Sequence, residues 1–271
     1  MNMRTIFTCA LVALMVAICP SVQGQTEEPE KVIKYPSRGV RFVICSPTGE
    51  RLPSPLYAKV GNEYQPILIS QRMPSPRLAP TGGYVNFYES PPEPKSKEEP
   101  YLRIEIPKEH RSKSICVVQP KQGGGVEKAY FLRETDFPKG SIYVVNISSA
   151  PLEMITSNTG KFEGEEKTDT ISAGNRVGDV VAKAPNVWGF ASSKKKPQKV
   201  YFVLSAIQQQ PGAKQPMPIR IRSSVFMTQP KLTQMSIIID QPGSKGIFKL
   251  MSLQYADTED SGATTGSAGL N

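Results

Sequence analysis

The side chains able to carry chemistry are scarce, with one histidine, four cysteines and one tryptophan in 271 residues. His110 lies in Lys108-Glu109-His110-Arg111-Ser112, a charged turn, and no Gly-x-Ser-x-Gly elbow accompanies it. Nucleophilic catalysis needs a base held against its nucleophile, so the sequence predicts a solvated loop histidine and assigns no catalytic residue. Zinc, copper and non-haem iron sites draw on several His or Cys ligands, so neither a metal site nor a cofactor is expected.

Carboxylates are more plentiful. The densest run is Glu163-Gly164-Glu165-Glu166-Lys167-Thr168-Asp169, which lacks the alternating acids of a calcium loop and reads as a solvated turn. It is also the one dense cluster that could supply the carboxylate pair of a glycosidase. The alternative function class is therefore a carboxylate-dependent carbohydrate-active enzyme or a glycan-binding protein.

Ser192-Ser193-Lys194-Lys195-Lys196 meets the Ser-x-x-Lys spacing of penicillin-binding enzymes, but Ser-Asp-Asn and Lys-Thr-Gly are absent. Lys194, Lys195, Lys196 and Lys199 then form a basic hairpin tip. Joined by Arg220 and Arg222 they would make an anion- or glycan-binding patch; apart, they are a plain solvated loop. Trp188, in Asn186-Val187-Trp188-Gly189-Phe190, has the spacing of a core residue. Exposed beside Phe190, it would instead offer a stacking surface for sugars.

The elements that must position these residues are strands. In the first half the apolar runs are Gly39–Cys45, Leu56–Val60, Tyr64–Ile69, Tyr84–Glu89, Tyr101–Ile106, Ser114–Gln119 and Val126–Arg133, each bounded by Gly, Pro, Asn or Ser clusters. The second half repeats the grammar with Ser141–Ser148, Leu152–Thr156, Thr168–Ile171, Val177–Lys183, Val187–Ser192, Val200–Ile207, Pro218–Met227, Leu232–Gln241 and Gly246–Tyr255. No stretch of ten residues holds an apolar period of 3.6, so helix content is expected to be low. The halves open with similar runs, Arg41-Phe42-Val43-Ile44 and Ile142-Tyr143-Val144-Val145, which a shared β grammar explains as well as a duplication does.

At the front, one arginine, an apolar run from Ile6 to Ile18 and the small residues before Gln25 make a secretory signal peptide. Its removal takes the formal charge from +9 to +8, because Arg4 is lost and no acid. Later windows are too short in apolar residues for a transmembrane helix. A basic exported chain suits anionic surfaces, and its cations are not interleaved with aromatics as in nucleic-acid binders, so no nucleic acid is expected. Cys45 and Cys116 remain after signal removal; they either form a disulfide or stay as buried thiols, and geometry decides between the two.

The expected organisation is a signal peptide at 1–24, a leader at 25–37, an N-terminal β-sandwich at 38–136, a C-terminal β-sandwich at 137–256 and a disordered tail at 257–271. The fold class is all-β, two tandem antiparallel sandwiches, Ig-like in the broad sense. Arg38-Gly39-Val40-Arg41-Phe42-Val43 opens one half, and Pro138-Lys139-Gly140-Ser141-Ile142-Tyr143-Val144-Val145-Asn146-Ile147-Ser148 opens the other. In these segments the chain resembles uncharacterised exported two-domain β-sandwich proteins of Gram-negative bacteria. That resemblance implies a fold and a compartment and carries over no functional residue. The expected function is a non-catalytic binding or structural module of the bacterial cell envelope, at the periplasm or cell surface. It would contact an envelope protein or an anionic glycan through its loops and edge strands.

Overall fold

The computed structural model describes residues 33–46, 52–93, 97–121, 123–162, 166–174, 178–180, 187–191, 197–209, 212–240 and 248–255. The expected signal peptide, most of the leader and the tail lie outside the described residues. In the first half the strands are β1 (Val40–Ile44), β2 (Leu56–Val60), β3 (Glu63–Ile67), β4 (Tyr84–Tyr88), β5 (Leu102–Glu105), β6 (Ser114–Pro120) and β7 (Val126–Arg133). The second half adds β8 (Ser141–Asn146), β9 (Leu152–Ser157), β10 (Lys167–Ile171), β11 (Gly178–Val180), β12 (Val187–Ala191), β13 (Lys199–Gln208), β14 (Met217–Met227), β15 (Thr233–Asp240) and β16 (Phe248–Tyr255). Two short 3-10 turns, Lys108–His110 and Glu134–Asp136, are the only helical elements among the described residues. None of the described helices is long and apolar enough to cross a membrane.

The strands form four sheets of four, in the orders β3-β2-β4-β5, β1-β6-β7-β11, β12-β8-β15-β16 and β10-β9-β13-β14. Each half is built the same way. A central strand (β1 or β8) leads into an outer sheet, and the chain returns beside that strand (β6 or β15) before a hairpin to β7 or β16. The outer sheets share one order, with β2, β3, β4 and β5 corresponding to β9, β10, β13 and β14. The equivalence extends to register, since Leu56 faces Ile67 in one hairpin and Leu152 faces Ile171 in the other.

The returning strand runs parallel to the strand the chain left, in both halves. This corrects the expectation of purely antiparallel sheets: β1 with β6, β8 with β15 and β11 with β7 are parallel pairs. Parallel pairing requires a long crossover, and here a whole outer sheet serves as the crossover.

Side-chain alternation explains the stacking. From β1, Val40 and Phe42 join a core with Leu56, Phe87, Leu102 and Ile104 of the first outer sheet, while Val43 and Cys45 join a second core on the opposite face. There they meet Tyr143, Val145, Met235 and Ile237 of the other central sheet. The far face of that sheet, with Val144 and Ile238, packs on Leu152, Met154, Phe202 and Leu204 of the second outer sheet. Central strands therefore face apolar neighbours on both sides, which is why β1 and β8 read as continuous runs. Phe137, at the expected joint between halves, is buried in the middle core, 4.7 Å from the Tyr143 ring centroid in an edge-to-face pair.

Polar groups inside are tied down individually. Arg41 of β1 and Arg77 both engage the Glu134 carboxylate, Arg41 at 3.3 Å, and all three side chains are more than nine-tenths buried. Asn146 ends β8 by donating to the carbonyls of Ala150 (2.8 Å) and Ser172 (3.0 Å), and its Oδ1 accepts from the amide and hydroxyl of Ser148. The chain is thereby turned toward Pro151 with its buried polar groups satisfied. Gly39, at φ +138°, enters β1 so close to Leu78 that a Cβ would lie 2.4 Å from its carbonyl oxygen, leaving room only for glycine.

His110 departs from its expected place in solvent. The 3-10 turn tucks the imidazole fully inside, 5.2 Å from the Phe131 ring in a stacked pair, with Nδ1 3.3 Å from the Ser114 hydroxyl. The disulfide alternative for Cys45 and Cys116 is not realised either. Both are buried thiols, not bonded to each other, on opposite faces of one sheet and in different cores, so their Cβ vectors point apart.

Two outcomes follow for stability. Glu134→Gln leaves two buried guanidinium groups without their carboxylate and is expected to cost about 3–5 kcal/mol in chemical denaturation. Burial, and then the charges of Cys45, Asp240 and Glu127, pushes the Tyr130 hydroxyl up to about 12 from an ordinary 10. A raised folded-state value favours the neutral phenol, so this contribution is intact below pH 10 and is lost as pH rises toward 12. The denaturation midpoint should fall across that window, less steeply in Tyr130→Phe.

Candidate functional site

A cavity of about 370 Å³ opens between β14, the edge of the second outer sheet, and β16, the edge of the adjacent central sheet. Its floor is apolar, with Phe202 and Phe226 stacked at 4.0 Å and Leu250 beside them. The walls are polar: Arg222 and Ser224 on β14, Gln234 and Ser236 on β15, Ser252 and Gln254 on β16.

The first half shows why this hollow exists. There the inward pairs between the last two outer strands are Phe87 with Leu102 and Val85 with Ile104, all buried. The corresponding pairs in the second half are Leu204 with Arg222 and Phe202 with Ser224. In the central sheets, Cys116 faces Phe131 in one half and Ser236 faces Ser252 in the other. Polar residues thus replace core residues on both walls. Short hydroxyls and a guanidinium that must reach water cannot fill the volume of Leu, Ile and Phe, so a hollow is left at this corner.

Among the described lining residues, Arg222 is the only side chain that carries charge at neutral pH, and no Asp, Glu, His, Lys or Cys is among them. The three serines consequently have no general base within the lining to activate them. What the arrangement offers is hydrogen bonding, one fixed positive charge and an aromatic floor. These are the ingredients of recognition. Val225 and Met227 of the lining are exposed, at 43% and 47%, as is Met217 at the other end of β14, at 51%.

Of the residues expected to form an anion patch, Lys199, Arg220 and Arg222 lie among the described residues. Lys199 pairs with Met227 at one end of the β13–β14 ladder, whereas Arg222 and Arg220 pair with Leu204 and Ser205 further along. A register shift between Leu204 and Ser205 adds a residue on β14, so the two arginines pair with residues of opposite faces and only Arg222 lines the cavity. Lys194, Lys195 and Lys196 lie outside the described residues. Trp188 is half-buried on β12, packs against the outer core and donates its Nε1–H to Asp169 at 3.0 Å. Asp169, from the acid-rich run, also pairs with Lys167 at 3.1 Å, while Glu163 and Glu165 lie outside the described residues. Among the described residues, no group of three or more His, Cys, Asp or Glu is placed to hold a metal ion.

Sequence reasoning located the half-exposed strand and its arginines but missed the cavity. Ser224, Ser236 and Ser252 carry no motif, and their meaning emerges only when each is set against its counterpart in the first half. Comparison with known proteins finds no family model and no curated protein that matches the chain.

Restoring the first half's residues, with Arg222→Leu and Ser224→Ile together, should close the corner. The double variant is expected to unfold at a higher temperature than wild type, since each added buried aliphatic chain contributes about 1.5–3 kcal/mol. Differential scanning calorimetry checks the direction.

Proposed function

We propose that the protein is a non-catalytic binding module of the bacterial cell envelope. It is exported by its N-terminal signal and acts at the periplasm or cell surface. On this reading it belongs with the exported tandem β-sandwich proteins, Ig-like in the broad sense, that its domain-opening strands resemble. It seats an extended segment of a partner polypeptide against β14 and in the corner cavity.

The observation that carries the reading is the exchange of core residues for Arg222, Ser224, Ser236 and Ser252 at one corner of a duplicated architecture. An interior emptied of apolar volume and lined with hydrogen-bonding groups costs stability, and a ligand that fills it returns the lost contacts. A free edge strand bearing exposed Met217, Val225 and Met227 supplies unpaired backbone groups and apolar anchors, the two ingredients of strand addition. Arg222 favours a segment with an acidic side chain. The enzymatic alternative draws no support from this cavity, whose described lining residues include no carboxylate.

The mature chain, and the Arg222→Leu/Ser224→Ile variant with its cavity filled, are each immobilised and exposed to solubilised envelope fractions. A defined partner retained by wild type and lost by the variant is the expected result. Equal retention by both proteins would sink the reading, and so would turnover of a glycan substrate by the wild-type protein.

A further inference from the structure

The solvent face of the first outer sheet carries a cluster of three tyrosines that its counterpart lacks. Tyr57 of β2 sits directly opposite Tyr88 of β4 on one side and Pro66 of β3 on the other, and Lys59 sits opposite Tyr64. Tyr64 and Tyr88 meet edge to face, 5.5 Å between centroids at 90°. Further across, Arg103 of β5 lies 4.2 Å over the ring of Tyr84. Asn86 lies between Tyr84 and Tyr88 on the same face of β4 and opposite Arg103. The tyrosines are half-buried and the Lys59 and Arg103 side chains exposed.

The topology does not require such a face. At the equivalent positions of the second outer sheet, Glu153 pairs with Ser205 and Thr170, and Ile155 pairs with Thr168. Apart from Tyr201, which stands where Tyr84 does, the matching face of the second outer sheet is built of polar and β-branched residues. Aromatic rings left half in water forgo burial unless a ligand supplies it.

We propose that this face binds an acidic polysaccharide. The three clustered tyrosines span two strand spacings, about 10 Å, which suits an extended chain lying across strands. Sugar rings present apolar C–H faces that stack on aromatic rings, and their hydroxyls bond to the phenol oxygens and the Asn86 amide. Lys59 and Arg103 against Glu105 leave the face with a positive excess, within a chain of formal charge +9, and this selects uronate-bearing over neutral glycans. Arg103 is already held over Tyr84, so its charge is positioned before the ligand arrives. A proline-rich peptide is the less favoured occupant, because the tyrosines lie on an open sheet face and form no groove for a polyproline helix.

The test is calorimetric titration of the mature chain with polygalacturonate, set beside a neutral glucan of similar length, a proline-rich peptide and anionic phospholipid vesicles. Saturable binding to polygalacturonate is expected, weakened about tenfold or more, equivalent to about 1.4 kcal/mol, by Tyr57→Ala, Tyr88→Ala or Lys59→Glu. Tyr57→Phe keeps the ring and should keep binding, which separates lost stacking from lost folding. Arg222→Leu/Ser224→Ile should bind as wild type does, so failure here is distinguishable from failure of the corner cavity. The proposal is overturned if polygalacturonate does not bind, if it binds the alanine variants as well as wild type, or if the glucan, the peptide or the vesicles bind more tightly.

Discussion

Everything in this molecule hangs on the contact between its two central sheets. Val43, Ile115, Val117 and Leu132 from one half meet Tyr143, Val145, Met235 and Ile237 from the other in a single apolar core. That contact obliges both central sheets to be apolar on both faces, since each also covers an outer sheet. The outer sheets are freer, because one face of each meets water. Specialised surface chemistry accordingly sits on an outer sheet or at an outer corner, where a polar substitution does not unseat the stack.

The same constraint explains what could be read from the sequence. Runs such as Val40–Ile44 and Ile142–Val145 announce central strands because nothing polar is tolerated there beyond the paired Arg41, and Gly, Pro and Asn punctuation separates the rest. All sixteen strands lie where apolar runs place them, to within a few residues. Direction and partnership were not legible. Parallel pairing of β1 with β6 depends on an outer sheet intervening, and no local pattern encodes that. His110 misled for a similar reason: a charged neighbourhood marks a turn, yet the turn's own geometry decides which side chain faces in.

The candidate sites were less legible than the fold. Arg222 was visible as one of two cations on a strand, but the added residue opposite Leu204 and Ser205 separates it from Arg220. Tyr57, Tyr64 and Tyr88 come from three strands and look like ordinary β-formers until register brings them together. In both cases the informative comparison is internal. One half of the chain serves as a reference for the other, and function is suggested where equivalent positions diverge.

The crossovers also bear on how the chain acquires its structure. Val40 must find Ser114, and Ile142 must find Gln234, before either central sheet exists. Pairings this distant along the chain make folding slow, because loop closure precedes the contacts that reward it. A chain emerging N-terminus first could seat β1, β6 and β7 on the first outer sheet as soon as β7 is out, with β11 joining β7 later. The middle core, in contrast, waits for β15 and β16 at the far end, so the first central sheet would present an uncovered apolar face until the last strands arrive. During that interval the trailing half is the natural partner for that face, and synthesis order becomes part of what protects the protein from aggregation.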